Sequence, residues 1–139
     1  MNSLDKFSTQ ILDDSPEGIL ILNNELIVLY ANKNLVHWVG FPFEQMRGKE
    51  ITKIFPHMAS PKYKSRFKQV LSSGFTLVLS SQLHPGFIPS NPTKKPKVGQ
   101  STLSCIYETA SNDRMLRISL TDMTTMSDQY AKISKLQKK

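Results

Sequence analysis

The spacing of apolar residues along the chain changes several times and separates helical from extended segments. Residues 2–14 carry apolar residues at helical spacing, which predicts an amphipathic helix. Two apolar runs follow, at 19–22 and 26–30, with Asn23 and Asn24 between them. Because asparagine tolerates a positive φ, this pattern predicts a β-hairpin with the two asparagines at its tip.

Several short helices are predicted directly after the hairpin. The segments 33–39, 43–46 and 51–55 are separated by polar turns, and Gly40 and Pro56 suit helix ends. Isolated helices of this length are not stable in water, so they form where a sheet holds them. The pattern therefore predicts a cupped sheet under a helical lid, a shape that can hold a small molecule.

A longer helix and three strands complete the pattern. Apolar residues recur at helical spacing before Gly74, from Tyr63 to Leu71. Apolar and polar residues then alternate in three segments, at 75–80, 103–108 and 116–121, with a turn at 111–113 between the last two. Strands with one apolar face are typical of an antiparallel sheet, so the fold class is α+β.

The connection within this strand region is unusual. Residues 84–99 contain four prolines and two glycines in 16 residues, which excludes a regular element. A connection of this length without structure is uncommon in a compact domain. We expect a mobile insertion, and the alternative is a flap with a function.

The last segment, 125–139, is predicted to be an amphipathic exit helix. Met126, Tyr130, Ile133 and Leu136 are spaced close to a heptad seam, and no C-cap follows them. We expect the helix to be truncated, with the natural protein continuing beyond it. The alternative is a helix docked on its own sheet.

The composition limits the kinds of protein to which this chain can belong. A chain of 139 residues, 39% of them hydrophobic, is expected to form one domain with a core. Its longest apolar run is too short to span a bilayer, and no secretory signal pattern is present. A single cysteine, Cys105, suits a reducing compartment, so we expect a cytoplasmic domain without a membrane segment.

The net charge of +7 raises the question of nucleic acid. The lysines and arginines cluster in a helix, in the 84–99 loop and in the terminal tail, and no aromatic residues alternate with them at strand spacing. No helix-turn-helix or metal-finger pattern occurs. Specific nucleic-acid binding is therefore not favoured and is kept only as a third hypothesis.

Short motifs follow one another in a recognisable order. They are Ser15-Pro16-Glu17-Gly18-Ile19, Tyr30-Ala31-Asn32, Val39-Gly40-Phe41 with Met46-Arg47-Gly48-Lys49, Ile54-Phe55-Pro56, and Asp122-Met123-Thr124. In this order they resemble the PAS (sensory box) domain of bacterial-type signal-transduction proteins. The resemblance covers residues 11–124, which is most of the chain.

The resemblance implies a PAS fold: a five-stranded antiparallel sheet in the order 2-1-5-4-3, with short helices over one face. It divides the chain into an N-terminal flanking helix (1–14), the PAS domain (15–124, with a loop insertion at 84–99) and a signalling helix (125–139). It also implies a sensory or dimerising role in a larger signalling protein. The downstream effector would be a histidine kinase or a diguanylate cyclase/phosphodiesterase pair, the latter acting in cyclic-di-GMP signalling.

Catalysis is not favoured for this chain. The six glycines are isolated and form no phosphate-binding loop, and no G-x-S-x-G motif occurs. The three histidines, His37, His57 and His84, lack the spacing of metal sites. We therefore predict no enzyme activity, no catalytic residues and no metal.

The resemblance also bears on cofactors. The region comparable to the flavin-binding motif of light-sensing relatives, 48–52, has no cysteine, and Tyr63 stands where haem-binding relatives have the ligating histidine. We expect neither flavin nor haem, although His57 would come into reach of a haem after a shift; otherwise His57 is a solvent-exposed loop residue. The resemblance leaves room for a small, largely apolar ligand.

Candidate site residues follow from this fold. The predicted walls of a ligand pocket are Trp38, Phe55, Tyr63, Phe67, Leu79, Cys105 and Ile118, a set that also describes an ordinary core. For Cys105 we favour a small buried core residue over a redox role. Asn32, Asp122 and Thr124 are the predicted signal relay, with helix capping as the simpler role of Asn32.

Two functions remain in view. The first is a non-enzymatic sensor that binds a small molecule or partner and relays the change through the C-terminal helix. The alternative is a ligand-free dimerisation or protein-interaction scaffold. In both, the terminal helices are expected to form a homodimer.

Overall fold

The computed structural model describes residues 6–107 and 113–137. Within them the helices are α1 (Lys6–Asp13), α2 (Lys33–Val39), α3 (Ile51–Ile54), α4 (Pro61–Ser73) and α5 (Thr124–Gln137), with 3₁₀ turns at Phe43–Gln45 and Pro56–Ala59. The strands are β1 (Gly18–Leu22), β2 (Val28–Ala31), β3 (Leu77–Leu79), β4 (Gly99–Tyr107) and β5 (Arg114–Asp122). The predicted turn residues Ser111 and Asn112 lie outside the described part.

The five strands form one antiparallel sheet in the order β2-β1-β5-β4-β3, as the resemblance predicts. β5 lies at the centre; it pairs with β4 along its whole length and with β1 from Leu116 to Leu120. Ile118 stands opposite Leu20 on one side and Leu103 on the other, so these three apolar side chains share a face. The PAS fold inferred from the motifs is confirmed.

The two faces of the sheet are covered differently. The inner face packs against α2, α3 and α4 and forms the main core. Every residue of β1 is buried, including Ile19 and Ile21 on the outer face. There, Ile21 lines a small apolar groove together with Ile11 and Leu12 of α1. The N-terminal helix therefore lies beside the outer face of the sheet.

Helix ends fall where the sequence predicts them. The side-chain oxygen of Asn32 accepts the N–H of Leu35 at 3.0 Å and caps α2. Gly40 follows the helix with a φ of 86°, and Gly74 ends α4 with a φ of 77°. These left-handed conformations suit glycine, so both segments stop at a defined residue.

The hairpin between β1 and β2 differs from the prediction. The positive φ falls on Leu26, at 65°, and on neither asparagine. The side chain of Asn23 accepts the N–H groups of Glu25 and Ile27, and the N–H of Leu26 bonds to the carbonyl of Asn23. Asn23 therefore organises the turn through its side chain, which leaves the strained conformation to a leucine.

The start of the third strand also differs from the prediction. Phe75 was expected to face the core, but β3 begins only at Leu77 and the Phe75 side chain is 69% exposed. The left-handed Gly74 sends the chain away from the sheet for two residues before pairing begins. Alternation alone therefore placed the strand boundary too early.

The two ends of the chain carry exposed apolar residues. Phe7 and Ile11 on α1 and Met126 and Ile133 on α5 are each more than half exposed. The side chains of Tyr130 and Leu136, which complete the predicted stripe of α5, lie outside the described part. The division at residues 14 and 124 stays a prediction. No helix in the described ranges is long and apolar enough to span a bilayer.

Candidate functional site

The seven predicted pocket residues come together on the inner face of the sheet. Six of them are buried in one apolar core, and Cys105 of β4 is half-buried at its edge rather than buried as expected. We call this region the cup. Trp38, Phe67 and Cys105 each line a surface cleft as well, but a different one. Their role as ligand contacts stays a prediction.

The connection predicted to be a mobile insertion packs into the cup instead. Phe87 and Ile88 are each 3% exposed, and they stand between Gly86 and Pro89. The Phe87 ring lies 4.9 Å from the ring of Tyr63 and 6.1 Å from that of Phe67, measured between centroids. Burying a side chain of this size contributes about 2–3 kcal/mol. We call residues 84–98 the flap.

A small polar group fixes the flap beside its aromatic anchor. Nε2 of His57 donates to the carbonyl of Phe87 at 2.8 Å. The hydroxyl of Tyr63 lies 3.1 Å from Nδ1 of His84, which is itself buried. Burial lowers the pKa of His84, and the charges of Lys62 and Arg66 lower it further. His84 is therefore held neutral in the closed flap.

Trp38 attaches the far part of the flap to helix α2. Its indole Nε1 donates to the carbonyl of Ile88 at 2.9 Å, and its own carbonyl accepts the N–H of Asn91 at 2.8 Å. Behind the ring lies Gly99, where a Cβ atom would stand 2.9 Å from the indole and 2.7 Å from Leu120. Only glycine allows β4 to approach this closely.

The end of the flap meets the start of the exit helix. The N–H of Val98 donates to the Thr124 hydroxyl at 2.9 Å, and the N–H of Met123 donates to the Val98 carbonyl at 2.7 Å. Asp122 accepts the N–H of Thr124 at 2.9 Å. Burial would raise the pKa of Asp122, but hydrogen bonding by Thr124 and the charge of Lys97 outweigh it and lower the pKa.

Asn32 connects three elements and is fully buried. Its side-chain oxygen accepts the N–H of Ile19 in addition to that of Leu35, and its amide donates to the carbonyls of Leu12 and Glu17. The predicted capping role is confirmed. The contacts with α1 and β1 go beyond it, while a role in signal relay stays a prediction.

The N-terminal helix is held by a second contact. The hydroxyl of Tyr30 donates to Oδ1 of Asp13 at 2.8 Å, and the N–H of Lys33 donates to the same oxygen. Burial, together with this hydrogen bond to Asp13 and the charge of Asp13, raises the pKa of Tyr30 to about 12. Helix α1 is thereby joined to the start of α2.

Sequence reasoning missed the flap residues His84, Phe87 and Ile88. The available signal was the apolar pair Phe87-Ile88 inside an otherwise polar, proline-rich segment. A connection without regular hydrogen bonds still becomes ordered when it buries apolar side chains. His57 is exposed, as expected, but it holds a flap carbonyl. No group of three potential metal ligands occurs in residues 6–107 and 113–137.

The profile of the PAS fold matches residues 12–114, which is most of the chain. The chain belongs to the PAS family. PAS domains are generally non-catalytic sensory modules of signalling proteins. The match and the observed sheet order confirm the resemblance inferred from the motifs. No match is found among curated protein sequences.

Solved structures with this PAS fold include domains of bacterial sensors. The PAS domain of BvgS from Bordetella pertussis has a TM-score of 0.68 at 13% identity and covers 96% of each chain. A sensory box sensor histidine kinase from Vibrio cholerae has a TM-score of 0.63 at 19% identity, covering 85% of this chain and 90% of its own. The PAS domain of nitrogen regulation protein NR(II) from Vibrio parahaemolyticus has a TM-score of 0.59 at 18% identity, with coverage of 85% and 99%. Identities this low establish the shared fold alone.

Proposed function

We propose that this PAS domain is a sensor in which a signal displaces the Phe87 side chain from the cup. The signal is a small, largely apolar molecule or a partner segment, and the predicted pocket residues are its contacts. Displacement frees the flap, and the flap carries the change to helix α5. No catalytic step is involved.

One observation carries this proposal: a single continuous segment joins the cup to the exit helix. Phe87 lies at one end of that segment, among Tyr63 and Phe67. At the other end Val98 bonds to Thr124, the first residue of α5. A signal that favours the open flap therefore changes the support of the exit helix, as a two-state sensor requires.

The wider assembly follows from the family. The neighbours from sensor histidine kinases support a histidine kinase as the effector, with a diguanylate cyclase/phosphodiesterase pair as the other candidate. The exposed apolar residues of α1 and α5 support a homodimer through the terminal helices. We place the domain in the cytoplasm. Sedimentation as a monomer at tens of micromolar would contradict the dimer.

A filled cup also suits the second function, a dimerisation or interaction scaffold without a ligand. The observation in its favour is that the buried Phe87 side chain fills the place in the aromatic core that a ligand would occupy. The two functions differ in one property. A sensor must open its flap at a measurable population, whereas a scaffold keeps it closed.

Hydrogen exchange with mass spectrometry tests the proposed relay. We expect Phe87→Ala to increase exchange in residues 88–99 and also in residues 123–126, because Val98 no longer supports Thr124. The matched control is Phe75→Ala, which removes an exposed ring of the same size. Faster exchange in the flap with unchanged exchange at 123–126 would refute the relay.

Native mass spectrometry of the purified chain then separates the sensor from the scaffold. A co-purifying small molecule supports the sensor.

A further inference from the structure

A surface cleft beside the cup combines a cationic rim with an apolar floor. It has a volume of about 540 Å³ and lies between the β1–β2 turn, helix α4 and the start of β5. Phe67, Leu71 and Leu26 contribute the floor, and Lys64, Lys68 and Arg114 contribute positive charge. A cleft of this size is in the range of small-molecule sites.

The charges in this cleft are not balanced. Glu50 is the one carboxylate among its described lining residues, so three cations leave two net positive charges. Glu50 already accepts the hydroxyl of Thr52 at 2.8 Å. Lys64 and Lys68 are one helical turn apart, an arrangement in which like charges repel. Within the described ranges, no ion pair is formed by either ammonium group.

Arg114 has a fixed position at the end of the cleft. Its guanidinium donates to the carbonyls of Leu71 at 2.5 Å and Ser72 at 2.7 Å, in the last turn of α4. A cation at this place also interacts favourably with the negative end of the helix dipole. One positive group is therefore preorganised, while the two lysines are long and adaptable.

We propose that this cleft binds an amphiphilic organic anion, a carboxylate on an alkyl body. The carboxylate would lie between Lys64 and Lys68, which relieves their repulsion, and the alkyl body would cover Leu26 and Leu71. Phe67 borders both this cleft and the Phe87 ring, so the occupied cleft adjoins the cup. The proposal does not depend on the displacement of Phe87.

Titration of the ¹⁵N-labelled chain with three probes tests both halves of the site. Octanoate has the charge and the alkyl body, acetate has the charge alone, and octan-1-ol has the body alone. We expect octanoate to shift the amide signals of residues 24–26, 64–72 and 114 saturably. It should bind about tenfold more tightly than octan-1-ol, which corresponds to about 1.4 kcal/mol divided between two surface charge interactions. It should bind more tightly than acetate by at least as much, because acetate lacks the apolar body.

Charge-matched variants identify the cationic rim. The double variant Lys64→Gln/Lys68→Gln is expected to weaken octanoate about tenfold. The control Lys33→Gln/Lys53→Gln removes the same charge from exposed positions outside the cleft and should leave binding unchanged.

Three results would overturn the anion site. They are equal binding of octanol and octanoate, an unchanged affinity in the Lys64/Lys68 variant, and no binding at millimolar octanoate. Shifts confined to Leu79, Leu103 and Ile118 would also overturn it, because they place the probe in the cup and so favour the proposed sensor function. Broadening confined to residues 24–26, 64–72 and 114 that increases with protein concentration would also overturn it, in favour of a second copy in the cleft.

Discussion

The hydroxyl of Tyr63 and Nδ1 of His84 lie 3.1 Å apart, and the hydrogen bond between them joins helix α4 to the first residue of the flap. Both side chains are buried, so neither polar atom has water as a ready substitute partner. This buried contact therefore holds the flap more firmly than a hydrogen bond at one of its exposed residues would.

Removing one partner of this pair should destabilise the domain. We expect Tyr63→Phe to lower the free energy of unfolding by about 1–3 kcal/mol, because His84 loses its partner while it stays buried. The measurement is urea unfolding. In a double-mutant cycle with His84→Leu, the second substitution should cost less in the Tyr63→Phe background than alone. Additive effects would show that the two groups do not interact.

The protonation of His84 should make the domain less stable in mild acid. Its pKa is lower in the folded state than the ordinary value of 6.5, so the unfolded chain binds the proton more readily. The stabilisation is complete above that ordinary value and is lost as the pH falls through it toward the folded pKa. The measurement is the urea midpoint at several pH values between about 8 and about 5, an interval that brackets the usual range of histidine pKa values.

The histidine responsible is identified by substitution. His84→Gln keeps a polar group near Tyr63 but removes the titration, so this variant should show a flatter pH dependence than the parent. His37→Gln, at an exposed position, is the control and should behave as the parent. A pH dependence retained in full by His84→Gln would assign the effect to other groups.

The close approach of β4 to Trp38 should make Gly99 intolerant of any side chain. A Cβ atom there meets Leu120 and the indole at less than 3.0 Å, and both neighbours are buried. We expect Gly99→Ala to cost about 1–3 kcal/mol and to change the tryptophan fluorescence. Gln100→Ala, at the next and half-buried position, should do neither. A stable Gly99→Ala variant with parental fluorescence would contradict the expectation, because it would show that β4 accommodates a Cβ atom without disturbing Trp38.

The left-handed conformation of Leu26 should offset part of the loss when its side chain is removed. A non-glycine residue there is strained by about 1–2 kcal/mol, and asparagine adopts the conformation more readily. We expect Leu26→Asn to change the free energy of unfolding by less than about 1 kcal/mol, since lost burial and relieved strain oppose each other. Leu77→Asn, another half-buried leucine but with ordinary φ, should cost clearly more. An equal loss of free energy of unfolding in the two variants would show that backbone strain at Leu26 does not contribute.

The sequence was sufficient for the sheet and insufficient for the flap. Alternation in the strands, the glycines after α2 and α4 and the order of the motifs depend on local geometry, and local geometry is encoded in neighbouring residues. The position of Phe87 depends on its packing against Tyr63 and Phe67, which are more than 15 residues away in the chain. Such a contact leaves no periodic signal in a proline-rich segment.

The candidate site, like the fold, could be predicted only in part from the sequence. The seven pocket residues share a face because strand alternation and helical spacing determine which side chains point inward. Whether that face encloses a ligand or the ring of Phe87 depends on the flap, whose sequence has no periodic pattern. The polar network of Asn32 was visible only as a helix cap, since its bonds to Leu12 and Glu17 come from tertiary packing.

The attachment of Phe87 to the same chain has a consequence for sensitivity. In the proposed sensor, the tethered ring would compete with a free ligand at a high effective concentration, so the ligand would bind only the fraction of molecules whose flap is open. If the closed flap is favoured by about 3 kcal/mol, the apparent dissociation constant is raised more than about a hundredfold. The strength of the flap contacts would then set the ligand concentration at which the domain responds, and substitutions at His57 or His84 would adjust that threshold without altering the cup.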